Sequence, residues 1–177
     1  MITFKYSIFA KMIYRYANIP ATIILVIHLI SSLFMMSESI YFIFPLVINL
    51  IVLILLNKFY LKSYSRFPFK IEVDNEKMIC SDYFMSKKEV IVSHSDIKKI
   101  YGGMFSGNSA RPLYIVDGKN NEIVGIHTHI KNFNKLLTIT LSNIDQQLYQ
   151  GLLKKMTDMG AEHKQKRKRK KDKKKSG

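Results

Sequence analysis

Residues 19–56 read IPATIILVIHLISSLFMMSESIYFIFPLVINLIVLILL, and this stretch decides the fold. Ile19 to Met36 is eighteen residues without a charge, and Ser39 to Leu56 is eighteen more. As helices rising 1.5 Å per residue, each would run about 27 Å, close to a hydrocarbon core of about 30 Å. In PLVINLIVLILL (45–56) apolar side chains fall on every face, so the run is not an amphipathic surface helix. The rest of the chain is too small to wrap two such helices as a buried core. A cleaved leader is a poor fit, because its charged lead-in is long, Ser37/Ser39 is a weak cleavage pair and a second apolar run follows at once. The sequence therefore predicts a tight two-helix membrane hairpin turning at Ser37-Glu38-Ser39.

Working outward, the bases set the orientation. Lys5, Lys11 and Arg15 precede the first run, Lys58, Lys62, Arg66 and Lys70 follow the second, and the turn has none. Bases prefer the cytoplasmic side, so both termini are expected in the cytosol, with Glu38 outside. Tyr14, Tyr16, Phe59, Tyr60 and Tyr64 stand where interfacial aromatic rings settle. Inside the hairpin the polar residues are His28, Ser31, Ser32 and Asn49. An ionisable residue in a span raises a relay or transport role for His28, but a neutral histidine satisfied by Asn49 or a backbone carbonyl is the simpler reading. No glycine precedes Gly102, so the hairpin holds no GxxxG packing motif.

The chain of 177 residues has a net charge of +15, distributed unevenly. Residues 1–57 hold three bases and one acid, 58–163 fifteen bases and eleven acids, and 164–177 ten bases and one acid. The basicity is a property of the C-terminal segment rather than of a basic fold. One cysteine, Cys80, excludes a disulfide-built secreted domain. The 24 isoleucines and four prolines suggest an AT-rich coding source and a bacterial inner membrane.

From Arg66 the periodicity changes. FKIEV (69–73), KMICSDYF (77–84), EVIVSH (89–94), IKKIY (97–101), LYIV (113–116) and EIVGIH (122–127) are short strand patterns, separated by turns such as Asp74-Asn75-Glu76 and Asp117 to Asn121. Phe133, Leu137, Leu141, Ile144, Leu148 and Leu152 then recur at spacings of three and four, predicting one amphipathic helix with Asn132 as N-cap and Gly160 as its stop. The fold class is α+β: residues 1–65 an N-terminal segment and membrane hairpin, 66–160 an antiparallel sheet or small barrel closed by a helix, 161–177 a disordered basic tail.

This order of elements, with ITFKYSIF before the hairpin, Ser95-Asp96-Ile97-Lys98-Lys99-Ile100 at a strand start and LYIV-DGKNNE-IVGIH before the helix, resembles the bacterial pleckstrin-homology-like membrane proteins of the YcxB-like group. His94 stands where many relatives carry Trp, and the lysine tail is no part of that pattern. The resemblance implies a seven-stranded barrel capped by a helix, acting as a binding or assembly module, with no reaction and no cofactor. Phosphoinositide binding does not carry over, because Asp74 and Glu76 in the first hairpin turn would repel a phosphate.

No signature of metal or nucleotide chemistry is complete. Gly102 and Gly107 have the spacing of a phosphate loop's outer glycines, but Asn108 and Ser109 follow in place of Lys and Ser/Thr. That loop is better read as a strand connection offering Phe105 and Arg111 as exposed protein contacts. His127 and His129 could share a strand face and open a metal site with His94 or His163, yet no HExxH or CxxC accompanies them. Ser93-His94-Ser95-Asp96 holds triad residue types, but strand neighbours alternate faces and cannot line up as a triad.

The tail carries the strongest functional signal. Lys164, Lys166, Arg167, Lys168, Arg169, Lys170, Lys171, Lys173, Lys174 and Lys175 form a polycation without aromatics for base stacking. Such a segment binds polyanions without reading sequence, in a salt-sensitive way. Anionic lipid and nucleic acid, ribosomal RNA above all, are the dense negative surfaces near a membrane. The expectation is a non-enzymatic membrane-anchored adaptor whose folded unit binds protein and whose tail grips RNA. The alternative is an accessory subunit of a membrane complex with its tail on lipid, and a third reading is an enzyme or transporter using His28 or His127/His129.

Overall fold

The computed structural model describes residues 1–108 and 110–175; for Met159 and residues 162–175 it describes the backbone alone. Two helices long and apolar enough to cross a membrane stand beside an α+β unit. The first is built from α1 (Ile8–Tyr16) and α2 (Asn18–Met35), nearly continuous through Ala17. A turn at Met36–Ser39 and a single 3₁₀ turn (Ile40–Phe42) lead into α3 (Ile43–Arg66), which packs back along α2. No residue of α3 is buried, and in α2 only Ser32 is. The apolar surface of the hairpin is therefore not the core of a soluble fold. One polar cluster joins the two helices at the end away from the turn. There Asn18 Nδ2 donates to Asn57 Oδ1 (3.1 Å) and Asn57 Nδ2 to Thr22 Oγ1 (3.3 Å).

The chain segments flanking the hairpin pair with each other. β1 (Ile2–Lys5) runs antiparallel to β2 (Lys70–Val73), with Phe4 opposite Ile71 and Lys5 opposite Lys70. β3 (Lys77–Ser81) and β4 (Val90–Ser93) complete a four-stranded sheet in the order β1-β2-β3-β4. Alternation turns one row inward across all four strands: Phe4, Ile71, Cys80 and Val90 are aligned by register and buried. The second sheet is β5 (Ile97–Gly102), β6 (Leu113–Asp117) and β7 (Ile123–Ile126), again antiparallel. Its inward residues Leu113, Ile115, Val124 and Ile126 join the same core.

The strand patterns of the six segments hold to within a few residues, and β1 is a seventh strand. It places residues 2–5 in the α+β unit, although the sequence groups them with the hairpin. The expected barrel is not closed. The strands form two separate sheets, and just past β1 Tyr6 makes an isolated bridge to Ile130.

The expected single helix is two, α4 (Phe133–Asn143) and α5 (Gln146–Lys175). The break has a local cause. Asp145 Oδ1 accepts from the backbone N–H of Gln147 (2.8 Å) and Leu148 (3.1 Å), capping a new helix, while Ile144 turns extended and is buried. Asn132 precedes α4 in the left-handed region and makes no side-chain cap. Gly160 does not end α5, whose backbone stays helical to Lys175 where composition predicts no fixed structure. Lys, Arg and Gln are good helix formers, and the preceding turns, anchored by buried Leu152, provide the nucleus on which they extend. α4 packs on β2 and the His94–Asp96 turn, and α5 on β5 and the Gly103–Ser106 turn.

Candidate functional site

The candidate site lies where the hairpin's base meets the two sheets, and a corner of the first sheet fixes one side of it. After β3 the chain turns through Asp82, which has a φ of 59°. Its carboxylate accepts from Lys11 Nζ (2.6 Å) and Arg15 Nη1 (3.0 Å), both on α1. Burial alone would raise the Asp82 pKa, but these two charged hydrogen bonds outweigh it and hold the carboxyl below its ordinary range. Arg15 also lies over the rings of Phe69 and Phe84. Phe84 in turn meets Tyr64 of α3 (centroids 4.2 Å apart) and Tyr16 of α1 (5.8 Å). Tyr64 donates to the Arg15 carbonyl (2.9 Å), so the sheet corner and both helix bases form one assembly.

On the other side, Phe67 caps the C-terminal end of α3 and is buried across the outer face of the second sheet. The fit depends on Gly125, since a Cβ there would come within 2.6 Å of the Phe67 ring. Beside it, the His127 imidazole is sandwiched between Phe67 (4.2 Å) and Tyr14 (4.0 Å) in near-parallel stacks. Burial, with a smaller contribution from His129, pushes His127 down to about 4, so the ring is neutral at pH 7. The His127 backbone N–H donates to the hydroxyl of buried Tyr6 (2.8 Å).

These residues wall a cleft of about 420 Å³ between α1, α3 and the second sheet. Lys62 and Arg66 of α3 also line it, together with Phe59 and Tyr114. No carboxylate is among its lining residues, and neither Lys62 nor Arg66 forms an ion pair among the described residues. An aromatic slot with two free cations and no acid favours an anionic, partly apolar occupant. The sequence marks Tyr14 and Phe59 as interfacial, but nothing in its linear order brings Lys62 and Arg66 together with Tyr114 and His127.

The residues singled out from the sequence fall elsewhere. Phe105 is not an exposed contact: the Gly103–Ser106 turn folds it into the core at 1% exposure, while Arg111 is exposed. His28 is exposed on α2 and has no hydrogen bond to Asn49 among the described residues. His94 is a buried turn lock. Its Nε2 lies 2.9 Å from the Asp74 carbonyl, which can only accept, so that nitrogen carries the proton. His127 and His129 both stack on Tyr14, and no cluster of three metal-ligating side chains occurs among the described residues. The side chains of His163 and of the basic residues from Lys164 to Lys175 lie outside the described residues.

No protein-family model, curated protein or solved structure matches this chain.

Proposed function

We propose that this chain is a membrane-anchored, non-enzymatic adaptor with both termini in the cytosol. The observation that carries this reading is the pairing of β1 with β2. A hairpin whose two flanks lie in one antiparallel ladder leaves from and returns to the same side, which is the side rich in Lys and Arg. The ion pairs at Asp82 and the Phe67 stack then hold the folded unit against the hairpin base, so its outer surface stands at a set distance from the bilayer.

The unit itself reads as a pleckstrin-homology-like module. Seven strands divided four and three, with helical segments against them, support that assignment. Such a module presents protein-binding surface, and the basic segment from Lys164 to Lys175 extends from it on α5 to reach a polyanion. RNA near the membrane is favoured over lipid, because the charge density exceeds what a doubly anchored protein needs to stay at a bilayer.

The test is a pull-down from gently solubilised membranes, comparing the full chain with one ending at Glu162, each with and without RNase. RNA and RNA-bound proteins recovered only with the full chain, and lost on nuclease treatment, are the expected result. Equal recovery of the same membrane proteins by both chains without RNA would overturn the RNA-tether reading in favour of a complex subunit.

A further inference from the structure

We infer that the cleft between α3 and the second sheet is a binding site for the phosphate of one anionic phospholipid, gripped by Lys62 and Arg66. This rests on the hairpin's lying in a membrane, and it assigns a ligand separate from whatever the basic tail contacts. Depth is the first argument. The hydrophobic run of α3 ends at Leu56, and the Asn18–Thr22–Asn57 cluster marks the boundary where polar side chains begin. Lys62 stands five residues beyond Asn57, about 7.5 Å along the helix, and Arg66 one turn further. The headgroup layer on one side of a bilayer is about 5–7 Å thick. Lys62 is therefore level with lipid phosphates, and the long Arg66 side chain can reach up to them.

Chemistry is the second argument. Phe59, Lys62 and Arg66 share one face of α3 at spacings of three and four. Phe59 is 69% exposed on the membrane side of the two cations, where it would meet the first methylenes of an acyl chain. Tyr114 also lines the cleft and offers a hydroxyl donor. Burial and Tyr101 raise its pKa, so it keeps its proton at pH 7, even though the nearby Arg66 charge partly opposes that. With no carboxylate in the lining, nothing competes for the two bases. The stacked, uncharged His127 ring is part of the same lining.

The test uses the full chain in detergent micelles doped with either dioleoyl-phosphatidylglycerol or dioleoyl-phosphatidylcholine. Washing at about 0.5 M salt, where the Debye length is about 4 Å, strips lipid held loosely by exposed bases such as those of the tail. Extracted lipid is then quantified per protein by mass spectrometry. Retention of about one phosphatidylglycerol and little phosphatidylcholine is expected. The K62Q/R66Q chain should lose that preference by about tenfold or more, as expected when two charge-assisted contacts to one phosphate go. Y114F should lose less, and millimolar inorganic phosphate should not displace the lipid.

An unchanged preference in K62Q/R66Q would overturn the site, as would equal retention of the two lipids. Displacement by inorganic phosphate would make it a site for free phosphate instead. A wild-type chain that does not partition into phosphatidylcholine-only vesicles would overturn the membrane reading and the lipid site with it. One that partitions while K62Q/R66Q keeps its preference overturns the lipid site alone.

Discussion

Replacing Asp82 by Asn isolates the charge that fastens α1 to the first sheet. Asn tolerates the left-handed backbone that Asp82 adopts, so the change leaves the turn intact and removes only the carboxylate. Two cations then lose their partner. The Asp82 side chain is 36% exposed, Lys11 39% and Arg15 13%. Exposed ion pairs contribute about 0.2–1 kcal/mol each, and the deeper Arg15 contact belongs at the upper end. With solvent screening included, the clamp is worth about 1–2 kcal/mol, or about a 5- to 30-fold change in a local opening equilibrium.

Hydrogen exchange of the full chain in detergent reads this directly. In Asp82→Asn, amides of α1 and of the 82–86 corner should exchange faster by that factor, while β6 should be unchanged. The folded-state pKa of Asp82 lies below its unfolded value, so the clamp is fully present above about pH 4 and is lost as pH falls through the lower folded value. Wild type and variant should converge there, and added salt should narrow their difference. Unchanged α1 protection in the variant, or an equal increase across all elements, would refute the clamp.

Three further outcomes follow from the junction. Gly125→Ala puts a methyl against the Phe67 ring and should destabilise the unit by about 1–3 kcal/mol, read as a lower urea midpoint, with the α3–sheet contact loosened. Tyr6→Phe leaves the His127 backbone N–H without its acceptor and should cost about 1–3 kcal/mol in the same assay. His127 is pushed down to about 4 by burial, so the unfolded chain takes up a proton before the folded one does. Stability should therefore fall between about pH 6.5 and pH 4. His127→Phe should flatten that dependence, and in wild type the His127 ring proton resonances should not shift above pH 5.

Much of this architecture is legible in the chain. The apolar runs are long and uninterrupted, and Ile71/Val73, Met78/Cys80 and Leu113/Ile115 alternate as half-buried strands must. β1 escapes such a reading because it is four residues long and abuts a helix, and its partner lies beyond the whole hairpin. The apolar stripe from Phe133 to Leu152 keeps its period across the break at Ile144-Asp145, so periodicity conceals two helices; the Asp145 cap was the signal for the second. Phe105 sits in a Gly/Ser/Asn-rich loop, a composition that suggests exposure, but the 3₁₀ turn aims its ring inward. The cleft is least legible. Its walls come from Tyr14, Lys62, Arg66, Tyr114 and His127, and only the return of the hairpin onto the sheets brings them together.

The hairpin's topology can be tested with single cysteines. Cys80 is fully buried and its thiol is pushed well above the ordinary range, so the wild-type chain should not react with a membrane-impermeant maleimide. Glu38→Cys adds a thiol at the hairpin turn and Lys119→Cys one on the exposed 118–121 turn of the folded unit. Labelling of Glu38→Cys on intact cells, with Lys119→Cys reactive only after permeabilisation, is the predicted result. Labelling of Lys119→Cys from outside, or of neither site until the cells are opened, would contradict a hairpin that crosses the membrane and returns to the cytosol.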